Sequence, residues 1–174
     1  METMEAIAKR HSSRGFTQHE LPEEALDIIL RAGCAAPVGM GEYASMHLTV
    51  IQDETLLKKI TEAGGRANGD PSRDIFYGAP TVVLISSSGG ELPELALANA
   101  GCIAENMMLA ATDRNVQSVY VWGAVMALRE EPGLKAECGL PEGFEPVASV
   151  ALGYEKQLTR NQKNMEMTIE VNRV

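Results

Sequence analysis

The sequence predicts an α/β or α+β fold, a small sheet layered with helices, and three observations carry that prediction. Four short segments rich in β-branched or alternating apolar residues, 47–52 (HLTVIQ), 81–86 (TVVLIS), 117–122 (QSVYVW) and 146–152 (PVASVAL), are interleaved with helical patterns. Hydrophobic residues fill 45% and charged residues 22% of the 174 positions, the composition of a chain that folds rather than stays disordered. The longest helical segment, 92–115, carries Leu95, Leu97, Ile103, Met107, Met108 and Leu109 nearly all round its circumference. A helix with no clean polar face belongs either at the centre of the core or under another subunit.

Each element has a local cause. Thr3 is placed to cap a short helix through Lys9, with Met4, Ile7 and Ala8 on one face. Leu21-Pro22-Glu23-Glu24 opens a second helix, with proline at the first position and acids in the first turn. Leu26, Ile29 and Leu30 mark its buried side, and Pro37 stops it near Ala36. Asp53 is placed to cap a third helix to about Ala63, after which residues 64–80 read as irregular. The strand at 81–86 is followed by a polar loop and the long helix. Residues 117–122 and 146–152 supply the last two strands. The polar final segment holds one alternating stretch, 167–171, that suits an edge strand. The length fits one domain over residues 1–174, with no repeat and no linker.

Charge narrows the function classes. Fifteen Lys+Arg against 24 Asp+Glu give a net charge of -9, a field that argues against nucleic acid or an anionic membrane as the main partner. The charge is uneven: residues 1–14 and residues 153–174 are each +1, which leaves -11 on the middle. Two faintly basic ends on an acidic body could converge on one small anion. Three cysteines with no CxxC spacing argue against a disulfide framework or a cysteine zinc site and suit a reducing compartment. The opening Met-Glu-Thr-Met-Glu is acidic where a signal peptide is basic, and no apolar run approaches the ~18 residues of a membrane span. A cytoplasmic location is expected.

Three segments have the composition of a ligand site. Arg10-His11-Ser12-Ser13-Arg14 gathers two guanidinium groups, an imidazole and two hydroxyls just after a helix, the donor set of a phosphate clamp. A solvated basic helix end has the same look. Pro37-Val38-Gly39-Met40-Gly41 is a loop poor in side chains that lets backbone groups approach a flat ligand, or simply joins helix to strand. It is no dinucleotide fingerprint, since that motif runs from strand to helix. Val121-Trp122-Gly123-Ala124 ends a strand and opens a helix, so its free N–H groups can meet an electron-rich atom. His47 has no second ligand at metal spacing, and no nucleophile–base arrangement or P-loop is legible.

Taken in order, these segments resemble the FMN-dependent nitroreductase family along nearly the whole chain. The opening run from Ile7 to Phe16 is similar to the family's R-[RH]-S-x-[RK]-x-[FY] motif. Leu21-Pro22-Glu23-Glu24-Ala25-Leu26, Ala35-Ala36-Pro37, Gly78-Ala79-Pro80, Ala104-Glu105-Asn106-Met107-Met108-Leu109-Ala110-Ala111 and Ala151-Leu152-Gly153-Tyr154 follow in the same order. The resemblance implies an α+β homodimer, a mixed β-sheet flanked by helices, with exchanged C-terminal tails and FMN in two clefts at the subunit interface. It implies an oxidoreductase that passes hydride from NAD(P)H to a nitroaromatic, quinone or related acceptor by alternating half-reactions. A flavin-dependent dehalogenase or dehydrogenase and a non-catalytic flavin-binding protein are the competing readings.

By the same resemblance, Arg10 and Ser12 hold the FMN phosphate, with His11 in the same cluster, and Arg14 approaches the pyrimidine edge of the flavin. Arg160 is the best match for the basic residue that reaches the phosphate after the last strand, ahead of Lys163 and Lys156. The Val121-Trp122-Gly123 turn corresponds to the segment whose N–H faces flavin N5. Pro37, Val38, Gly39, Met40 and Tyr43 replace the family's P-S-x-x-N-x-Q-P-W loop, so backbone atoms or Tyr43 must stand in for the missing Asn. The short segment before Pro146 leaves less room for a helical lid over the substrate cleft.

Overall fold

The computed structural model describes residues 1–157 and 162–174. Four strands form one sheet: β1 (Met46–Ile51), β2 (Thr81–Ser87), β3 (Gln117–Tyr120) and β4 (Glu145–Gly153), in the order β1-β2-β4-β3. All three strand pairs are antiparallel, with Val83 opposite Val50 on one side and Val150 on the other. A single parallel bridge, Ser12 to Ser118, adds the incoming chain outside β3. The two central strands carry continuous apolar runs because both faces of the sheet are covered. Every residue of β2 is buried, and so is every residue of β4 after Glu145.

Helices cover each face. On one side α2 (Glu23–Cys34) and α4 (Leu95–Asp113) pack on Val83, Ile85, Ala148 and Val150. On the other side α3 (Glu54–Ala67), α5 (Gly123–Glu130) and α6 (Pro132–Glu137) pack on Val82, Leu84, Val119 and Ala151. The period of two along β2 thus sends alternate side chains to the two cores. The short α1 (Thr3–Lys9) lies beside α4 and buries only Ala6. Among the described residues no helix is long and apolar enough to cross a membrane.

Several boundaries differ from expectation, each for a tertiary reason. Thr3 is the first helical residue of α1 and Glu2 its cap, with no side-chain cap bond, and Met4 is exposed. The second helix ends at Cys34, with Ala35 closing it, two residues short of the expected stop. Asp53 does cap α3 by accepting from the Leu56 N–H at 2.7 Å. The helix then runs through Gly64 and Gly65 to Ala67, past the expected end. These glycines permit close packing: a Cβ on Gly65 would sit 2.8 Å from the Asp70 carbonyl oxygen. Strand β3 stops at Tyr120; the Val121 N–H still bonds the Ser149 carbonyl at 2.9 Å, and the chain then turns into α5. Helix α6, opened by Pro132, was not foreseen.

The long helix meets the expectation of a place in the core and leaves one large apolar residue outside it. Ile103, Met107 and Met108 are core residues, while Leu97 remains 55% exposed. Residues 167–171 form no strand pairing in this chain, and Met167, Ile169 and Val171 are exposed.

Candidate functional site

The chain leaves α1 at Arg10 with extended backbone (φ -59°, ψ 125°) and runs along the outer side of β3. The Ser13 N–H bonds the Ser118 carbonyl at 3.0 Å, and Phe16 forms an antiparallel bridge with Glu155. The Lys156 N–H closes the arrangement on the Gly15 carbonyl at 3.1 Å. Fully buried Phe16 anchors this stitch, with Gly153 beneath its ring: a Cβ there would lie 3.0 Å from Phe16 Cδ1. Backbone pairing therefore joins residues 10–16 to 153–157, and the two faintly basic ends of the chain meet.

Between them lies a cavity of about 650 Å³, lined by His11, Ser12, Arg14, Gly15, Glu155, Lys156 and Gln157. Arg14 and Lys156 are exposed, and Arg14 Nη1 donates to the Ser12 carbonyl at 3.4 Å. Glu155, with its side chain 6% exposed, accepts from Ser13 Oγ at 2.5 Å and lies 2.6 Å from His11 Nε2. His11 Nδ1 meets the Lys9 carbonyl at 3.1 Å, so both ring nitrogens are engaged within the chain. His11 and Ser13 thus converge on the Glu155 carboxylate, beside the exposed cations Arg14 and Lys156 in the same lining.

Arg10 sits on the α4 side of the same segment. Its side chain is 18% exposed, its Nε is 3.6 Å from Glu105 Oε1, and that buried Nε has no hydrogen-bond partner. Lys163 reaches back to the end of α1, donating from Nζ to the Ile7 carbonyl at 3.1 Å and from its N–H to the Ala8 carbonyl at 2.9 Å. Burial and the neighbouring Arg10 charge hold the Lys163 ammonium below its ordinary value, against the opposing pull of Glu105. Two cations beside one carboxylate, with a buried donor unsatisfied, make a local anion-binding environment inside a strongly acidic protein.

The remaining candidates lie apart within a single chain. Val121, Trp122 and Gly123 line a cavity of about 200 Å³ with Tyr77 and Tyr120, and Arg129 stacks 5.6 Å over the Trp122 ring. Burial raises the Tyr120 phenol above its usual value. Gly123 and Ala124 open α5, so their N–H groups stand outside the helical ladder. Val38 and Tyr43 line a third cavity, about 510 Å³ and mostly apolar, with Cys34, Leu48 and Ile103. In the same loop Pro37 and Met40 are exposed, the Gly39 N–H bonds Asn99 Oδ1 at 2.9 Å, and Met40 adopts a left-handed φ of 57°. Arg160 lies outside the described residues.

Sequence reasoning missed Glu155, which counts in the charge balance only as an offset to the basic tail. Its one local signal is an acidic residue directly after Gly153-Tyr154 at the exit of a buried strand. Nothing in sequence order ties it to His11 and Ser13, more than 140 positions away.

The comparisons with known proteins agree on one family. The nitroreductase family profile matches residues 7–154. A Methanothermobacter thermautotrophicus protein named as a candidate NADH dehydrogenase/NAD(P)H nitroreductase is 28% identical over 157 residues, covering 88% of this chain and 78% of its own length. The crystal structure of a Bacteroides fragilis nitroreductase with bound FMN superposes with a TM-score of 0.84 at 26% identity, covering 99% of this chain and all of that one. A Desulfitobacterium hafniense nitroreductase with bound FMN gives 0.87 at 23% identity, over 100% of this chain and 99% of that one. The chain belongs to the nitroreductase family.

Proposed function

We propose that this oxidoreductase is FMN-dependent and passes hydride from NAD(P)H to a nitroaromatic, quinone or related acceptor in alternating half-reactions. The observation that carries the reading is the buried Nε of Arg10, without a hydrogen-bond partner among the described residues and beside Lys163, at the end of a segment whose Ser12 and Arg14 line an open cavity. The donor set fits a flavin mononucleotide: guanidinium and hydroxyl groups suit a phosphate, and the cation Arg14 suits the flavin edge that gains negative charge. Relatives bearing nitroreductase names and a B. fragilis structure holding FMN support the assignment.

The protein's own part is binding, orientation and electrostatics. FMN, when bound, supplies the centre that accepts and donates hydride. Arg10, Ser12 and Lys163 are the residues offered to its phosphate, with Lys156 near enough to the same cavity to add charge. Arg14 favours the reduced, more negative state over the oxidised one, and only an interaction that strengthens along the reaction lowers the barrier. The Trp122-Gly123 turn, where α5 begins, would offer a backbone N–H to the flavin. No side-chain acid or base is assigned to the transfer.

Two copies are needed to complete each cleft in this proposal. The loop with Val38 and Tyr43 opens on an apolar cavity separate from the Ser12–Arg14 cavity, so a partner copy is the means of bringing the two together. The tail beyond Lys163 supports a dimer with exchanged ends: Met167, Ile169 and Val171 alternate and are exposed, Ile169 by 82%. The decisive experiment is purification followed by spectroscopy and turnover. A preparation that retains a flavin spectrum and oxidises NADH only when a nitroaromatic or quinone is present supports the assignment. A colourless protein that ignores added FMN sinks it.

A further inference from the structure

The chain leaves α1 with Arg10 in extended backbone, pairs Ser12 with Ser118 and is anchored at Phe16. His11 and Ser13, two positions apart, converge on one carboxylate, Glu155 Oε1, at 2.6 and 2.5 Å. Ser13 is 1% exposed and the Glu155 side chain nearly as hidden, so this contact is a buried one rather than a solvated pairing. His11 is held from its other edge by the Lys9 carbonyl, the last residue of α1. Glu155 is itself fixed by the strand it follows: its N–H bonds Gln117 Oε1 at 3.2 Å, and its backbone bridges Phe16. His11 and Ser13 are thereby fastened on either side of Ser12, which lines one cavity together with His11, Arg14 and Glu155.

We propose that Glu155 is a positioning residue for the cofactor: by gripping His11 and Ser13 it sets the rotation of residues 10–14 and aims Arg10 and Ser12 at the phosphate. The inference rests on the FMN reading above, but goes beyond it by assigning a role to a carboxylate that is no phosphate ligand. The physical logic is preorganisation. A five-residue segment free to rotate would lose conformational entropy on binding, whereas one already pinned spends less of its interaction energy on ordering. A carboxylate suits the task because both neighbours offer it donors, and a charge-assisted bond is about twice as strong as a neutral one.

The experiment compares FMN with riboflavin, which lacks the phosphate, on the apo form of the full-length protein, using Glu155→Gln and Ser13→Ala. Fluorescence titration gives the dissociation constant of each ligand, and circular dichroism checks the fold. The wild-type protein is expected to prefer FMN strongly. Either variant should shrink that preference about tenfold, the size of one hydrogen bond to a charged group, with riboflavin affinity nearly unchanged. A merely structural role for Glu155 would weaken both ligands together and leave the ratio intact, which overturns the proposal while the FMN reading stands. If the wild type itself fails to prefer FMN, the reading beneath fails and takes the proposal with it. Should Glu155→Gln not fold, Ser13→Ala decides by the same ratio, because it removes one grip and leaves the carboxylate paired with His11.

Discussion

The cleft beside residues 10–16 and the apolar cavity between α2, α4 and β1 are both open in a single chain, and they are open for opposite reasons. The first is polar and braced from within: Phe16 is buried, Ser13 and His11 hold Glu155, and backbone bonds tie residues 15–16 to 155–156. Its open side faces outward as unneutralised charge. The second is lined by Val38, Leu48, Ile103 and Tyr43, with little polar surface to hydrate it. Leu97, on the same helix α4 as Ile103, is a further exposed apolar residue. A charged cleft can wait in water for a small ion, whereas an apolar surface of this kind is stabilised by covering it. On the proposed reading, the first region takes a ligand and the second is covered by a second copy of the chain.

The largest expected effect falls on the apolar region. Leu97→Glu should dissociate the proposed dimer by about 3–5 kcal/mol, more than about a hundredfold in dissociation constant, because a buried unpaired carboxylate has no partner to offset desolvation. Sedimentation velocity would show the monomer. A dimer of undiminished affinity would place the contact elsewhere on the molecule.

Next comes the polar cleft. Arg10→Ala should weaken FMN by about 1.5–3 kcal/mol, the range for hydrogen bonds to a charged group, and the loss should shrink as salt is added. An unchanged dissociation constant would mean that the unpartnered Arg10 Nε answers to Glu105 alone. Within the same cleft Arg14→Gln should act on reduction more than on retention. We expect the potential of the bound flavin to fall by about 30 mV, which for a two-electron couple is about 1.4 kcal/mol, with slower reduction by NAD(P)H. If the variant sheds FMN yet keeps its potential and rate, Arg14 is a phosphate ligand like Arg10.

The smallest effect is a pH slope. Lys163 titrates below its ordinary value of 10.5 in the folded chain, through burial first and the Arg10 charge second. Between the depressed value and 10.5 the unfolded chain holds more protons than the folded one, so the contribution of Lys163 to stability rises with pH across that window. It is lost as pH falls through the depressed value. Denaturant titrations of the apo protein should show this slope, and Arg10→Ala should flatten it. An equal slope in both proteins would show that Arg10 and Lys163 do not feel one another.

The layered α+β architecture was legible because its signals are local. The apolar run at 81–86, the capping Asp53 and the proline before Glu23 each act within a few residues, and each element formed where those signals stood. Glycine was misread where it is used for close approach, as at Gly65, since a packing contact and a helix stop have the same letter. The cluster Arg10-His11-Ser12-Ser13-Arg14 was visible as a donor set, but its anchoring was not. That anchoring depends on Glu155, which is brought to the cluster only when β4 pairs beside β3 and Phe16 closes on the sheet. The sequence by itself determined the elements, the acidic body with two basic ends, and the family. Tertiary structure alone decided that His11 and Ser13 would meet the Glu155 carboxylate, because a contact across more than 140 positions exists only once the sheet has brought both segments together.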